Sequence, residues 1–555
     1  MSGPRRASRS SMASSASGQP IQRQHPYGGG LCAESARRGL PAWWPLAGLL
    51  VLAAAVRLPT LSLQSLWYDE AFTPVHVLHP SLVATLDSMV ARENTPPLWY
   101  VLMWAISRVL GTGVVALRLL SALAGIALVA VGWAIGAQLG SRRTAIILAA
   151  ILALSPLFVW YSQEARAYEL YALASAVSLL YFLRAYRSGG RTVLALWALS
   201  SVLALLSHYF AVFLVAPEAL LLLGRLGRGR RPAAMPEAAP AGAPRAPVSS
   251  SWTAMRPTMA AVVAVAVCGA ALVPLVIAQG GRGTQWIGHW ALSDRLVQTP
   301  GYYLLGANGS VLGHSLLALS ALPLLATVLL GSALLARRRL LRVEIEGLAL
   351  MLWLGIVAIL IPLALALAGA DYFAPRNLIA DWIPLSGAFA VVLGAAAAGR
   401  TGTLLAVVVC LASTAVLIAT GLDPRLQRGN WGAVAHALRS GSRDRAIVTV
   451  EDGAAPLEYY LPALRLRYLS RRLSVSVREV DLVGYAPLRP GALQDPTPAF
   501  SLAGRSDIHG LLAYRYTARS PQRLSGRFLR SLTITTGASS AAETLLPGAI
   551  AAARS

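Results

Sequence analysis

Lysine is absent from the chain, so all 48 of its basic residues are arginine. Cysteine occurs three times, and charged residues fill only 13% of the 555 positions. Each scarcity excludes something. Cys268 and Cys410 lie in apolar stretches and Cys32 in the N-terminal tail, which leaves no disulfide framework and no metal-ligand spacing. Soluble domains carry about a quarter charged residues, and the deficit here comes from long apolar blocks. Residues 1–39 are rich in Ser, Gly and Arg without an apolar core, which excludes a typical signal peptide. The exclusive use of arginine points to a GC-rich coding bias and has no mechanistic meaning by itself.

What remains is hydrophobic: 56% of residues are apolar and the mean hydropathy is +0.58. A run of about 18 apolar residues crosses ~30 Å of hydrocarbon. Such runs lie at 41–58, 115–138, 143–160, 168–185, 192–207, 209–223, 258–278, 315–335, 347–369, 378–397 and 403–421. Arginine clusters sit at 37–38, 142–143, 184–191, 225–231, 337–342 and 400. With the N-terminus inside, these eleven spans place every cluster on the cytoplasmic side. The net charge of +24 therefore reads as membrane topology, and no nucleic-acid partner is expected. One apolar stretch, Leu98–Leu110, is too short to cross and is expected to be re-entrant or interfacial. Counting it as a span, or recutting two later ones, gives eleven to thirteen helices.

The expected fold class is an α-helical polytopic membrane protein with a small extracytoplasmic α/β domain. Residues 1–39 form a disordered basic cytoplasmic tail. Residues 40–421 form the transmembrane domain, with a first extracytoplasmic loop at 58–97 and an Arg/Pro/Ala-rich cytoplasmic linker at 225–257. Residues 422–555 carry β-rich runs at 446–450 and 473–477, a helix at 431–438, and a frayed tail from about 539.

On this threading the outer face collects the chemistry. The first loop holds Trp67, Tyr68, Asp69, Glu70, Ala71 and Phe72, then Glu93, Asn94, Thr95, Pro96 and Pro97. A second exit carries Tyr161, Ser162, Gln163, Glu164, Ala165, Arg166, Ala167 and Tyr168; a third has His208 and Tyr209; a late one has Asp371, Tyr372, Phe373, Pro375, Arg376 and Asn377. Asp69 and Glu70 read either as the acidic start of a helix or as catalytic carboxylates. Trp67 and Tyr68, as interface aromatics, place them at the membrane surface, a partly desolvated setting that suits a general base. Arg166 reads as a membrane-edge anchor or a partner of Glu164. Yet an extracytoplasmic arginine runs against the positive-inside bias, and Arg376 raises the same question. Two such arginines form a phosphate clamp. His208 is a packed histidine or a substrate contact.

The ordered set of Trp67, Tyr68, Asp69, Glu70, Ala71, Phe72 and Thr73, then Pro96, Pro97 and Leu98, then Ser162 through Tyr168 resembles the bacterial family 39 glycosyltransferases. These are GT-C fold enzymes related to protein O-mannosyltransferases and to the aminoarabinose transferase of lipid A. The resemblance is best over 40–225, extends loosely to 372–384, and leaves the C-terminal domain uncovered. It implies transfer of a sugar, mannose or a pentose, from a polyprenyl-phosphate donor to a lipid, glycan or protein acceptor hydroxyl, with inversion. It also implies Asp69 as base, Glu70 in support through acceptor positioning or metal contact, and Arg166 and Arg376 on the donor phosphate. Substrate contacts are expected from Tyr68, Gln163, Glu164, Tyr168, His208, Tyr209 and Tyr372. A divalent metal, Mg or Mn, is compatible with this fold class, though no ligand cluster in the sequence supplies it. Asn377 departs from the family pattern, which has Tyr after the late arginine. The location implied is the bacterial plasma membrane.

Two rivals share the many-helix plan. A lipid or sugar flippase would place ionisable residues at the bilayer midplane on helices related by a repeat; no repeat is visible, and only Glu218 and Asp381 need explaining. A scaffold or sensor would leave the loops inert, against the observed concentration of Asp, Glu, Arg, His and aromatics.

Overall fold

A computed structural model describes residues 43–228, 251–281, 287–307, 313–451, 453–486, 496–532, 534, 542–548 and 553–554. Residues Pro45–Ser555 form one compact unit. The expected tail at 1–39 and most of the expected linker lie outside the described residues.

The chain enters through α1 (Trp44–Arg57). The first loop then folds into α2 (Tyr68–Phe72), a π-turn (Thr73–Val77) and α3 (Leu82–Arg92), before α4 (Leu98–Leu110). The helical body continues with α5 (Val114–Leu139), α6 (Arg142–Leu154), α7 (Pro156–Ser162), α8 (Tyr168–Ser188), α9 (Arg191–Ser207) and α10 (Val212–Arg228). Beyond the linker come α11 (Ser251–Gln279), α12 (Leu292–Leu305), α13 (Gly313–Ala336), α14 (Arg342–Leu367), α15 (Trp382–Gly394) and α16 (Gly399–Leu422). Among the described residues, seven helices are long and apolar enough to cross a membrane, and α6 with α7 makes an eighth if the bent pair is one span. Helices α1, α4 and α9 are apolar but shorter. The chain is a multi-span membrane protein. Helix α10 runs to Arg228 and α11 starts at Ser251, so both described ends of the expected linker are helical.

The bend between α6 and α7 is 55° and has an identifiable cause. Pro156 has no N–H to give, which orphans a carbonyl one turn back. Arg57, fully buried, reaches across from α1 and donates to the Leu152 and Ala153 carbonyls at 3.3 and 2.8 Å. Its Nε donates to Ser162 Oγ at 2.9 Å. A broken helix survives at membrane depth only when a neighbour re-satisfies its backbone in this way. The close approach needs Gly125 on α5, where a Cβ would lie 2.9 Å from Arg57 Nε. The break re-aims the chain so that residues 163–167 face the first loop.

After α16, helices α17 (Trp431–Leu438) and α18 (Ala454–Tyr460) pack with a seven-stranded sheet ordered β2-β6-β1-β3-β5-β4, with β7 pairing β3. The strands are β1 (Arg445–Val450), β2 (Arg467–Tyr468), β3 (Leu473–Tyr485), β4 (Phe500–Ile508), β5 (Leu511–Ser525), β6 (Ala542–Leu546) and β7 (Ala553–Arg554); α19 (Gly526–Ser531) follows β5. Only β1 and β3 run parallel. The expected strands at 446–450 and 473–477 and the helix at 431–438 all form. The expected frayed tail does not hold over its described part. Residues 542–546 insert between β1 and β2, where the Ala-Glu-Thr-Leu-Leu run buries Leu545 and Leu546.

Glu218, one of the two charges a transporter reading needs, is held within the bundle by Ser178 Oγ at 2.6 Å and Trp197 Nε1 at 2.8 Å. Asp381, the other, is buried at the end of the turn Pro375–Asp381 that precedes α15.

Candidate active site

Four carboxylates converge where the first loop meets the α7–α8 turn, and each faces its own arginine. Arg376 Nη1 donates to Asp69 Oδ2 at 3.2 Å. Arg118 forks onto Glu70 at 2.7 and 2.6 Å. Arg166 forks onto Glu93 at 3.0 and 3.2 Å. Arg428 Nη2 donates to Glu164 at 3.0 Å.

Asp69 and Glu70 are consecutive on α2, so their side chains point about 100° apart. Only one can face outward. The Asp69–Arg376 pair keeps 18% and 23% of its side-chain surface, while Glu70 and Arg118 keep 0% and 1%. Glu70, expected in support of Asp69 through acceptor positioning or metal contact, is turned inward and paired with Arg118. It accepts from the Ala165 N–H at 2.9 Å, tying the second exit to the first loop. Arg118 spends every donor locally: two on Glu70 and three on the carbonyls of Leu61, Gln64 and Ser65. Burial pushes the Glu70 carboxyl up, but Arg118, Arg428 and the Ala165 amide together hold it below the usual carboxylate range.

Arg166, expected on the donor phosphate, instead has its fork occupied by Glu93. Its Nη1 also reaches the Asp69 carbonyl at 3.5 Å, so its placement supports the backbone of Asp69. Arg376 is held differently. Arg295 on α12 clamps Asp371 at 2.8 and 2.6 Å and donates to the Phe373 carbonyl at 2.5 Å, which shapes the loop leading into Arg376. Asn377 donates to the Tyr372 carbonyl at 3.0 Å. The half-exposed Tyr372 ring remains open for contact.

The other expected contacts divide into two groups. Tyr68 is partly buried and sits edge-on to Trp67 at 4.6 Å. Tyr168 is mostly buried, with its ring 4.8 Å from Tyr161, whose hydroxyl contacts that of Tyr302. The second group is engaged with the protein itself. Gln163 donates to the Val56 carbonyl at 3.2 Å and to Thr60 at 2.5 Å. Glu164 is buried, and burial raises its carboxyl despite Arg428. His208 is stacked on Tyr171 at 4.9 Å, accepts from the Phe210 N–H, and is pushed down to about 3, chiefly by burial; it is a packed neutral histidine. Tyr209 donates to Gln279 at 2.7 Å. Trp67 packs against the cluster around Trp431 and Leu457.

Sequence reasoning missed Arg118, Arg295 and Arg428, and it quoted Glu93 without a role. Arg118 left one signal, a charge five residues into a long apolar helix; Arg428 left none. A divalent metal does not fit the residues present. Each carboxylate of the site is neutralised by its own guanidinium, and the described residues hold no group of three or more His, Cys, Asp or Glu able to hold a metal ion.

Residues 94–236 match the family model described as dolichyl-phosphate-mannose-protein mannosyltransferase. The matched stretch runs from the end of the first loop through α10 and includes Arg118, Glu164 and Arg166. That stretch of the chain is similar to those mannosyltransferases, in agreement with the resemblance in its loops. No curated protein matches it. Among solved structures it is similar to ArnT from Cupriavidus metallidurans bound to undecaprenyl phosphate, at 12% identity and a TM-score of 0.49, over 86% of this chain and 98% of that one. It is also similar to the archaeal oligosaccharyltransferase AglB from Archaeoglobus fulgidus in complex with an inhibitory peptide and a dolichol-phosphate. There the identity is 14%, the TM-score 0.41, and the coverage 76% of this chain and 59% of that one. A complex of the Archaeoglobus fulgidus enzyme with zinc and sulfate matches at 14% identity and a TM-score of 0.37, over 75% and 57% of the two chains.

Proposed function

We propose that the chain moves a sugar from a polyprenyl-phosphate carrier to an acceptor hydroxyl at the extracytoplasmic surface of the bacterial plasma membrane, inverting the anomeric centre. The observation that carries this reading is the Asp69–Arg376 pair. It is a carboxylate and a guanidinium 3.2 Å apart, the one pair of the four with both partners appreciably open.

At rest the two neutralise each other. A donor phosphate competes with Asp69 for the guanidinium, and Arg376 turns to the phosphate on the far side of the anomeric carbon. Asp69 is then available to the acceptor. The acceptor oxygen attacks the anomeric carbon, the bond from that carbon to the phosphate oxygen breaks, and the phosphate leaves with the electron pair. Asp69 takes the hydroxyl proton, and Arg376 meets the charge gathering on the leaving group. Tyr68, Tyr168 and Tyr372 flank the sugar. Glu70, Arg118, Glu93 and Arg166 act as positioning residues. The family description supports a polyprenyl-phosphate-linked donor. Mannose or a pentose is the sugar by family analogy, and the acceptor is a lipid, glycan or protein hydroxyl.

The orientation has support of its own. Arg225 donates to the carbonyls of Ala185 and Arg187, Arg187 contacts the Gln138 carbonyl, and Arg143 reaches Gly399 at 2.5 Å. These arginine-rich turns gather where α5, α8, α10 and α15 end, as a cytoplasmic face does. The N-terminus is then cytoplasmic, and the sheet beyond α16 extracytoplasmic.

The test is transfer in detergent from a panel of radiolabelled polyprenyl-phosphate sugars to a lipid and cell-wall extract. Wild-type protein transfers from at least one donor, and Asp69→Asn falls ~10²–10⁴-fold while remaining folded. Equal transfer by both proteins removes Asp69 as the base.

A further inference from the structure

Arg428 lies outside the matched stretch 94–236, in the segment joining α16 to α17. Its side chain is 2% exposed, and it reaches back more than 260 residues along the chain. Its guanidinium lies over the Trp160 ring at 4.1 Å and donates to Glu164 at 3.0 Å and to the Trp160 carbonyl at 3.1 Å. Its Nε is 3.9 Å from Glu70. Thus one cation stands between two buried carboxylates, one from each loop of the site. Its backbone amide donates to Gln64 Oε1 at 3.0 Å, and Ser65 Oγ donates to the Gly429 carbonyl at 3.1 Å. From α18, the Tyr460 hydroxyl accepts from the Leu66 N–H at 2.7 Å. Residues 64–66 are sewn to the C-terminal segment on every side, three residues before Asp69.

We propose that Arg428 is a positioning residue for Asp69: by bridging Glu70 and Glu164 it makes the segment beyond α16 part of the active site. This rests on the transferase reading above. Arg118 already satisfies Glu70, so the burden of Glu164 falls on Arg428. Without Arg428, Glu164 is a buried carboxylate with no counter-charge, which forces local rearrangement. The structures that shift are the 163–166 turn and the 64–70 loop, which carry Arg166 and Asp69. A displacement of about 1 Å at a reacting group costs ~10²-fold in rate.

The experiment compares Arg428→Gln, Arg428→Lys, Glu164→Gln with Arg428→Gln, and Arg425→Gln in the full-length protein. Arg425 pairs with Asp423 on the surface and serves as the control. Two readouts are taken: hydrogen exchange over 64–72 and 163–168, and transfer kinetics. Arg428→Gln raises exchange in both segments and lowers kcat about 10–100-fold with less change in the donor KM. Arg428→Lys, which keeps charge but loses the fork and the guanidinium over Trp160, falls between. The double variant recovers most of both losses, because the orphaned carboxylate is gone. Wild-type exchange in Arg428→Gln overturns the proposal. So does a double variant no better than the single one, which would mean a merely structural contact. The exchange readout decides the question even if no donor is turned over, an outcome that would count against the transferase reading instead.

Discussion

Two clusters of buried arginines and carboxylates occupy the two halves of the molecule, and they are built on different plans. Around Asp69, each of four carboxylates has its own nearest guanidinium, and Arg428, the partner of Glu164, also stands 3.9 Å from Glu70. In the sheet, Arg445 and Arg515 share Glu479 and Asp481, with contacts of 3.1–3.5 Å. The sheet cluster crowds two acids, and burial, with Glu479 beside it, pushes Asp481 up to about 6. The site cluster spreads its acids over separate partners, and Glu70 is held low instead. Shared charge serves to staple strands β1, β3 and β5. Paired charge fixes loop positions and leaves the Asp69–Arg376 pair partly exposed, as the proposed exchange with a substrate phosphate requires.

The comparison breaks most visibly at Glu70. Glu70→Gln leaves Arg118 buried without its counter-charge, at a cost of about 3–5 kcal/mol. Thermal unfolding in detergent should show a large drop, where Asp69→Asn, at a partly open pair, shows little. Equal stability of the two variants would mean that Glu70 is not the structural member of the pair.

A smaller effect sharpens the other half. The raised Asp481 carboxyl contributes stability that is fully present below about pH 4, the unfolded value, and is lost as pH rises through about 6. Asp481→Asn should flatten that pH dependence. Urea-dependent proteolysis of the full-length protein, read at cleavage sites within 445–546, measures it; an unchanged slope would place the titration elsewhere.

Much of this plan was legible before any coordinates. Apolar length marked the helical body and both ends of the short α4, although seven or eight of the described helices, against eleven expected spans, are long enough to cross, and the outer loops already held Asp69, Arg166 and Arg376. What stayed hidden was pairing. Arg376 meets Asp69 across 307 residues and Arg428 meets Glu164 across 264, distances over which no periodicity speaks. Nor does composition distinguish Asp69 from Glu70. Adjacent acids on one short helix differ only in direction, and Arg118, which takes Glu70, lies 48 residues away in an apolar run. Arg166 is expected on a phosphate because an extracytoplasmic arginine runs against the positive-inside bias, and the nearest acid in sequence is Glu164. The fork went to Glu93, 73 residues upstream.

The claim on which the account turns is that Arg376 exchanges Asp69 for the donor phosphate. Equilibrium binding of a polyprenyl phosphate to purified protein tests it directly. If the two compete, Asp69→Asn should bind the phosphate several-fold tighter than wild type even as transfer collapses, and Arg376→Gln should bind it at least tenfold weaker, a loss of about 1.4 kcal/mol or more. Unchanged or weaker binding in Asp69→Asn would contradict the exchange and leave the pair as a structural contact.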